Sequence, residues 1–308
     1  MTRFAFFQGE IVPIEQAKIS VMTHGLHYGT ACFAGIRGYW NAERANLYIF
    51  RIEDHFRRFL ASSRMLLMDL PYTAADLVNI TVDLVQREGY REDCYIRPLA
   101  YKSTAAIGVR LHNLDAAVTI FSIPFGKYIE SETGAQAGTS TWRRVDDTAI
   151  PARGKLSGAY VNSALIKTEA MANGFDEAIV LNQDGHVSEG SAENILLVRD
   201  GQLISPPITA NILEGITRRT LFELARRELG LEVIERDVDR SELYVADEIM
   251  FCGTGVQIVA VTSVDRRPVG AGTMGPVVGE LRRLYFDAVR GNLSQYRHWC
   301  TPVYPEEL

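Results

Sequence analysis

Turn chemistry constrains the fold of this chain more than any other feature. Gln8-Gly9, Asp184-Gly185 and Asp200-Gly201 each stand between short apolar or β-branched runs. Such pairs tolerate the positive φ angles of tight hairpins. Amphipathic stretches interrupt the hairpins. A strand candidate at 47–50 is followed by a helical pattern at 53–67. Thr73 with Asp76 three residues on forms a capping-box pattern, and Gly89 closes that helix. Residues 160–173 predict a helix with Ala164, Leu165, Thr168 and Met171 on one face and Gly174 as its C-cap. Residues 217–229 predict another, with Leu221, Leu224, Ala225 and Leu229 as the buried stripe before Gly230, and a last helix is expected at about 276–290. Strands are expected at 94–101 and 116–123, and a hairpin at 4–12. Runs of hairpins interleaved with capped helices describe an α+β chain.

The chain has 308 residues, enough for two domains of ordinary size. Residues 124–138 hold proline, glycines and polar residues between a strand and a new pattern, so they are the expected interdomain linker. A small α/β domain is expected at 1–123, and a larger β-rich domain with a curled sheet or open barrel at 139–308. The net charge of −6 argues against nucleic-acid binding as the main role. No apolar run reaches the length of a membrane span, and the apolar part of the N-terminus is too short for a signal peptide. The four cysteines, Cys32, Cys94, Cys252 and Cys300, lack metal-type spacing and are expected as reduced thiols in a cytoplasmic protein. The six histidines show no ligand pairing, so no metal is expected.

Lys155 lies among small residues in Gly154-Lys155-Leu156-Ser157-Gly158-Ala159-Tyr160, and Val187-Ser188-Glu189-Gly190 follows one hairpin later. A lysine amine forms Schiff bases with an aldehyde, and a carboxylate pairs with a pyridinium nitrogen. Pyridoxal chemistry needs both. A solvated surface lysine is the ordinary alternative. Gly215-Ile216-Thr217 precedes a helix, where free N–H groups and a hydroxyl suit a dianion; a plain N-cap threonine competes. Phe251-Cys252-Gly253-Thr254-Gly255 ends a strand in a turn whose amides form either an anion nest or a simple hairpin. Arg58 is either a phosphate ligand or a solvated helix arginine. Tyr95 and Arg97 share a strand face and suit a carboxylate, against the alternative of an exposed strand surface, and Pro98 suggests an edge or the end of pairing. His24-Gly25-Leu26-His27-Tyr28-Gly29 and Phe33-Ala34-Gly35-Ile36-Arg37 match no dinucleotide or P-loop fingerprint, and a core turn with packed aromatics is the structural alternative.

Taken in order, these motifs resemble the branched-chain amino-acid aminotransferases of the fold-type IV (class IV) pyridoxal-phosphate enzymes. The matches are His27-Tyr28-Gly29, Phe33-Ala34-Gly35-Ile36-Arg37, Tyr95-Ile96-Arg97-Pro98, Gly108-Val109, Lys155, Tyr160, Ser188-Glu189-Gly190, Glu193-Asn194, Gly215-Ile216-Thr217-Arg218 and Gly253-Thr254. The resemblance implies a small α/β domain, a larger pseudo-barrel domain, an active site between them and a dimer with shared sites. It implies pyridoxal 5'-phosphate on Lys155, Glu189 at the ring nitrogen and Tyr160 at the ring hydroxyl. Arg58, Thr217, Thr254 and the backbone of Ile216 would hold the phosphate. Tyr95, Arg97 and the Thr254-Gly255 amides would face substrate carboxylates. Phe33, Gly35, Arg37 and Tyr128 would line the pocket, with Tyr28 and Val109 supplied by the partner subunit. The implied substrates are branched-chain L-amino acids and 2-oxoglutarate.

The same fold carries (R)-selective amine transaminases, D-amino-acid aminotransferases and aminodeoxychorismate lyases. Ala34 and Gly255 depart from the acidic or bulky residues often found there in the branched-chain group, and Lys102 and Arg110 add charge to the following loop. A promiscuous or (R)-amine transaminase is therefore the runner-up. Tyr95-Ile96-Arg97-Pro98 and Gly108-Val109 favour the branched-chain pattern. A noncatalytic scaffold requires an idle Lys155.

Overall fold

The computed structural model describes residues 3–126 and 134–305. Two compact units divide the chain. The first comprises Met1–Gly126, Gly154–Gly158 and Asp287–Leu308, and the second Lys127–Arg153 and Ala159–Phe286. Of the segment 124–138, the residues from Ala135 onward begin a strand.

In chain order the elements up to residue 126 are β1 (Phe4–Phe7), β2 (Glu10–Pro13), α1 (His24–Tyr28), β3 (Ala31–Phe33), β4 (Ile36–Asn41), β5 (Asn46–Phe50), α2 (Ile52–Met65), α3 (Ala74–Glu88), β6 (Cys94–Lys102) and β7 (Ala116–Pro124). There follow β8 (Ala135–Arg143), α4 (Tyr160–Ala172), β9 (Glu177–Leu181), β10 (Val187–Gly190), β11 (Asn194–Arg199), β12 (Gln202–Ser205), α5 (Ile216–Glu228), β13 (Glu232–Glu235), β14 (Glu248–Gly253), β15 (Gln257–Val264), β16 (Arg267–Pro268), α6 (Pro276–Val289) and β17 (Cys300–Pro302).

The first unit holds an antiparallel sheet ordered β17-β5-β4-β6-β7-β1-β2, with β3 also on β6. The local signals act as expected. Gln8 and Gly9 take φ of 52° and 91° and join β1 to β2. Thr73 and Asp76 cap α3 reciprocally. Pro98 is not on an edge, since it stands in the central β6 opposite Ile120 of β7, but it does meet the end of a ladder. On its other side the partner changes from β4 to β3, and Ala34 N–H donates to the Pro98 carbonyl at 3.0 Å. N–H and C=O of one extended residue point the same way. The donor that proline lacks therefore belongs at the break between β3 and β4, where no ladder needs it.

The second unit curls a mixed sheet ordered β10-β9-β8-β15-β14-β11-β12-β13, with β16 on β15. Asp200-Gly201 makes the β11–β12 hairpin with φ of 50° and 75°. Two joins are helical crossovers between parallel strands: α4 carries β8 to β9, and α5 carries β12 to β13. Strand β9 is buried on both faces, as crossover strands are. Ile179 and Leu181 enter a core with Ile195, Leu197, Ile249 and Phe251. Ala178 and Val180 pack with Ile166 and Ala170 of α4.

That packing corrects the expected face of α4. Its buried residues are Ser163, Ile166 and Ala170, whereas Leu165 and Met171 are 42% and 62% exposed. Ile166→Ala is therefore expected to lower stability by about 2–5 kcal/mol, and Leu165→Ala by no more than about 0.5 kcal/mol. Urea unfolding midpoints of the two variants measure this. A reversed order would restore the face drawn from periodicity.

Candidate functional site

In the first unit the sheet register assembles a polar and aromatic face. Phe33 lies opposite Leu99, and Arg37 opposite Tyr95, so Phe33, Arg37, Tyr95, Arg97 and Leu99 share one side of the sheet. Arg97 Nη2 donates to the Tyr95 hydroxyl at 2.9 Å, and its guanidinium lies 4.4 Å from the Phe33 ring centroid. Arg37 is 2% exposed, lies 4.8 Å from the Phe125 ring centroid and donates to the Gly126 carbonyl. Neither Nε of these two arginines has a hydrogen-bond partner among the described residues. Two cations beside a phenol, with no carboxylate bonded to either among the described residues, suit an anionic group. Gly35 makes the arrangement possible, since a Cβ there would stand 2.2 Å from the Tyr95 hydroxyl oxygen.

Lys155 belongs to the same unit and is held there by its backbone. Its carbonyl accepts from Phe33 N–H at 3.0 Å, and its N–H donates to Ser62 Oγ at 3.2 Å. Ser62 in turn donates to the Arg58 carbonyl, and Leu156 bridges Cys32. One short segment is thereby strapped to β3 and α2. The half-buried side chain places Nζ 5.2 Å from the Phe33 ring centroid. Arg58 is also half-buried, on α2. Tyr28 and Val109 occupy neighbouring segments. The Tyr28 hydroxyl accepts from Gly108 N–H at 3.1 Å, His24 Nε2 lies 2.8 Å from the Gly108 carbonyl, and Val109 is 88% exposed. Tyr128 lies outside the described residues.

In the second unit Glu189 of β10 is 3% exposed. Arg144, just after β8, pairs with its Oε1 at 2.8 Å. Its Oε2 accepts from Asn194 Nδ2 at 2.9 Å and from Leu213 N–H at 3.1 Å. The charge is thus balanced and bonded inside the protein, which a buried carboxylate requires. Sequence reasoning gave no role to Arg144, Asn194 or Ser62. Arg144 carries no motif, and Asn194 enters only as one letter of a longer match. Gly215 caps α5, so Thr217 is its second helical residue and not the N-cap. The amides of Ile216 and Thr217 fall among those that a helix leaves without internal acceptors. Both residues are buried. Thr254 and Gly255 form the turn between β14 and β15, and a Cβ at 255 would meet open space. Tyr160 opens α4, five residues after Lys155.

Residues 32–264 match the family described as amino-transferase class IV. The chain is 48% identical over 301 residues to a probable branched-chain-amino-acid aminotransferase of Aquifex aeolicus, covering 98% of this chain and 97% of that one. Its structure is similar to the branched-chain aminotransferase of Thermoproteus uzoniensis with norvaline, at a TM-score of 0.94 and 42% identity over 99% of this chain and 100% of that one. It is likewise similar to the branched-chain amino acid aminotransferase of Thermobaculum terrenum in its PLP-bound holo-form, at a TM-score of 0.94 and 39% identity over 99% of each chain.

Gly35→Ala is expected to displace the Tyr95 phenol and break its bond from Arg97, at a stability cost of about 1–3 kcal/mol from overpacking. A crystal structure and an unfolding midpoint of the variant check this. An undisturbed phenol with an unchanged midpoint would contradict the close-approach argument.

Proposed function

The chain belongs to the class IV aminotransferases, and from that premise we propose that it moves the amino group of branched-chain L-amino acids (leucine, isoleucine and valine) to 2-oxoglutarate with pyridoxal 5'-phosphate as cofactor. The observation that carries this reading is Glu189, a buried carboxylate fixed by Arg144 and Asn194. A buried carboxylate kept ionised in this way suits a protonated ring nitrogen. The other donors fit the same cofactor: a primary amine at Lys155, a phenol at Tyr160, and a helix N-terminus with a threonine hydroxyl for a phosphate.

When bound, pyridoxal phosphate supplies an aldehyde that condenses with amines and a ring that accepts an electron pair. Lys155 is the resident amine. Its Nζ would hold and move the proton of the substrate α-carbon. Glu189 keeps the ring nitrogen protonated, and Tyr160 hydrogen-bonds the ring hydroxyl. Arg58, Thr217, Thr254 and the Ile216 N–H hold the phosphate. The Thr254-Gly255 amides and Tyr95 orient the α-carboxylate. Phe33, Gly35 and Arg37 line the side-chain pocket.

The substrate assignment rests on a conflict that this chain has a way to resolve. The same pocket takes leucine in one half-reaction and glutamate in the other. An unpaired buried carboxylate is costly, so a cation must meet it. Arg97, paired with no acid among the described residues and stacked on Phe33, supplies that cation while its aromatic neighbour keeps the pocket apolar. An (R)-amine substrate would make no such demand. The working unit is a homodimer. Val21, Leu26, Ile107 and Val109 are exposed around the Tyr28–Gly108 bond, and a second copy would cover them while receiving Tyr28 and Val109. Four buried free thiols support a reducing, cytoplasmic setting. Among the described residues, no helix is long and apolar enough to cross a membrane.

Lys155→Ala is expected to lower turnover by at least about 10³-fold, measured with leucine and 2-oxoglutarate; wild-type turnover would refute the assignment. Arg97→Ala is expected to slow the glutamate half-reaction by about 10–100-fold and the leucine half-reaction far less. Single-turnover rates with each donor alone measure this. Equal losses would place Arg97 at the shared α-carboxylate.

A further inference from the structure

The second unit holds two more buried carboxyls, Glu177 of β9 and Glu193, immediately before β11. Glu177 is satisfied. Lys167 Nζ of α4 donates to its Oε2 at 2.6 Å, and Ala178 N–H donates to its Oε1 at 2.7 Å. Glu193 is not. Its Oε2 accepts from Ala192 N–H at 3.2 Å, while Oε1 is buried with no donor. A carboxylate can only accept, so an ionised Glu193 leaves that oxygen unpaired. Yet its carboxyl meets the carboxyl of Glu177, and two acceptors cannot bond.

Charge balance leads to the same point. Lys167 pairs with Glu177 and Arg144 with Glu189, whereas among the described residues no ion pair reaches the buried Glu193. The Cys252 thiol of β14, which feels Arg218, Glu193 and Glu189, is pushed up to about 12 by burial and hence neutral, and Arg218 is paired with Glu235. We propose that Glu193 carries a proton, donates it in a hydrogen bond to Glu177, and as a neutral acid positions the turn that aims Asn194 at Glu189. The proton turns the orphan Oε1 into a donor. It also removes a third negative charge from the surroundings of Glu189, leaving that carboxylate as the one anion offered to the ring nitrogen.

The turn depends on this side chain. Gly190 N–H donates to the Glu193 carbonyl at 2.7 Å, and a Cβ on Gly190 would come within 3.0 Å of Glu193 Oε1. The next residue, Asn194, bonds both Glu189 and the Leu213 carbonyl. Burial, and then the neighbouring Glu177 charge, hold the Glu193 carboxyl well above the usual carboxylate range. A raised value means that the folded state binds this proton more tightly than the unfolded chain. The resulting stabilisation is complete below the usual carboxylate range and is lost as pH rises through the folded value.

The positioning role rests on the catalytic reading of Glu189; the proton does not. Infrared spectroscopy of the cofactor-loaded protein at neutral pH tests the proton directly. The expected result is a carbonyl band of a neutral carboxylic acid that shifts in D2O and is absent from Glu193→Gln. No such band in the wild type, or its survival in the variant, would overturn the proposal. Glutamine keeps one donor and one acceptor, so Glu193→Gln is expected within about threefold of wild-type kcat/KM, and Glu193→Ala at least about tenfold below it. Equal losses would overturn the positioning role. A protein inactive before substitution would fault the Glu189 reading alone and leave the infrared result standing.

Discussion

The Arg144–Glu189 ion pair is the constraint on which the second unit is organised. Removing a carboxylate from water costs several kcal/mol, and breaking such a pair from one side costs about 3–5 kcal/mol. The chain meets that cost by bringing three separate segments to one carboxylate: Arg144 after β8, Asn194 at the start of β11 and the Leu213 amide ahead of α5. Asn194 also sets the identity of Gly215, since a Cβ there would stand 2.0 Å from Asn194 Oδ1. The carboxylate and the N-terminus of α5 are therefore placed by one network.

The first unit is organised by backbone instead of charge. Lys155 is fastened through its own N–H and C=O to Ser62 and Phe33. These two bonds fix the backbone of the residue against β3 and α2. The strap also explains Gly154, since a Cβ there would stand 2.9 Å from the Leu156 and Met65 side chains.

What the sequence made legible follows the range of each interaction. The Thr73–Asp76 box and the Gln8-Gly9 and Asp200-Gly201 turns are complete within a few residues, and each forms as the residues demand. The buried face of α4 was not legible. Leu165 and Met171 are the more apolar side chains, but β8 and β9 cover Ser163, Ile166 and Ala170. Pro98 depends on where a partner strand breaks, which no local pattern records. Lys155, Glu189, Tyr95 and Arg97 stood out because their residue types at those spacings suit one chemistry. Arg144, the second of an adjacent arginine pair at the end of a strand, gave no signal beyond a pair too short to be a basic tract, although it balances the central charge.

The absorbance of the purified, cofactor-loaded protein tests the central claim most directly. L-leucine added alone should bleach the visible band in a single turnover, and 2-oxoglutarate should then restore it, because the amino group is stored on the protein-bound cofactor between two half-reactions. A band that leucine leaves unchanged, or that 2-oxoglutarate fails to restore, would contradict the account.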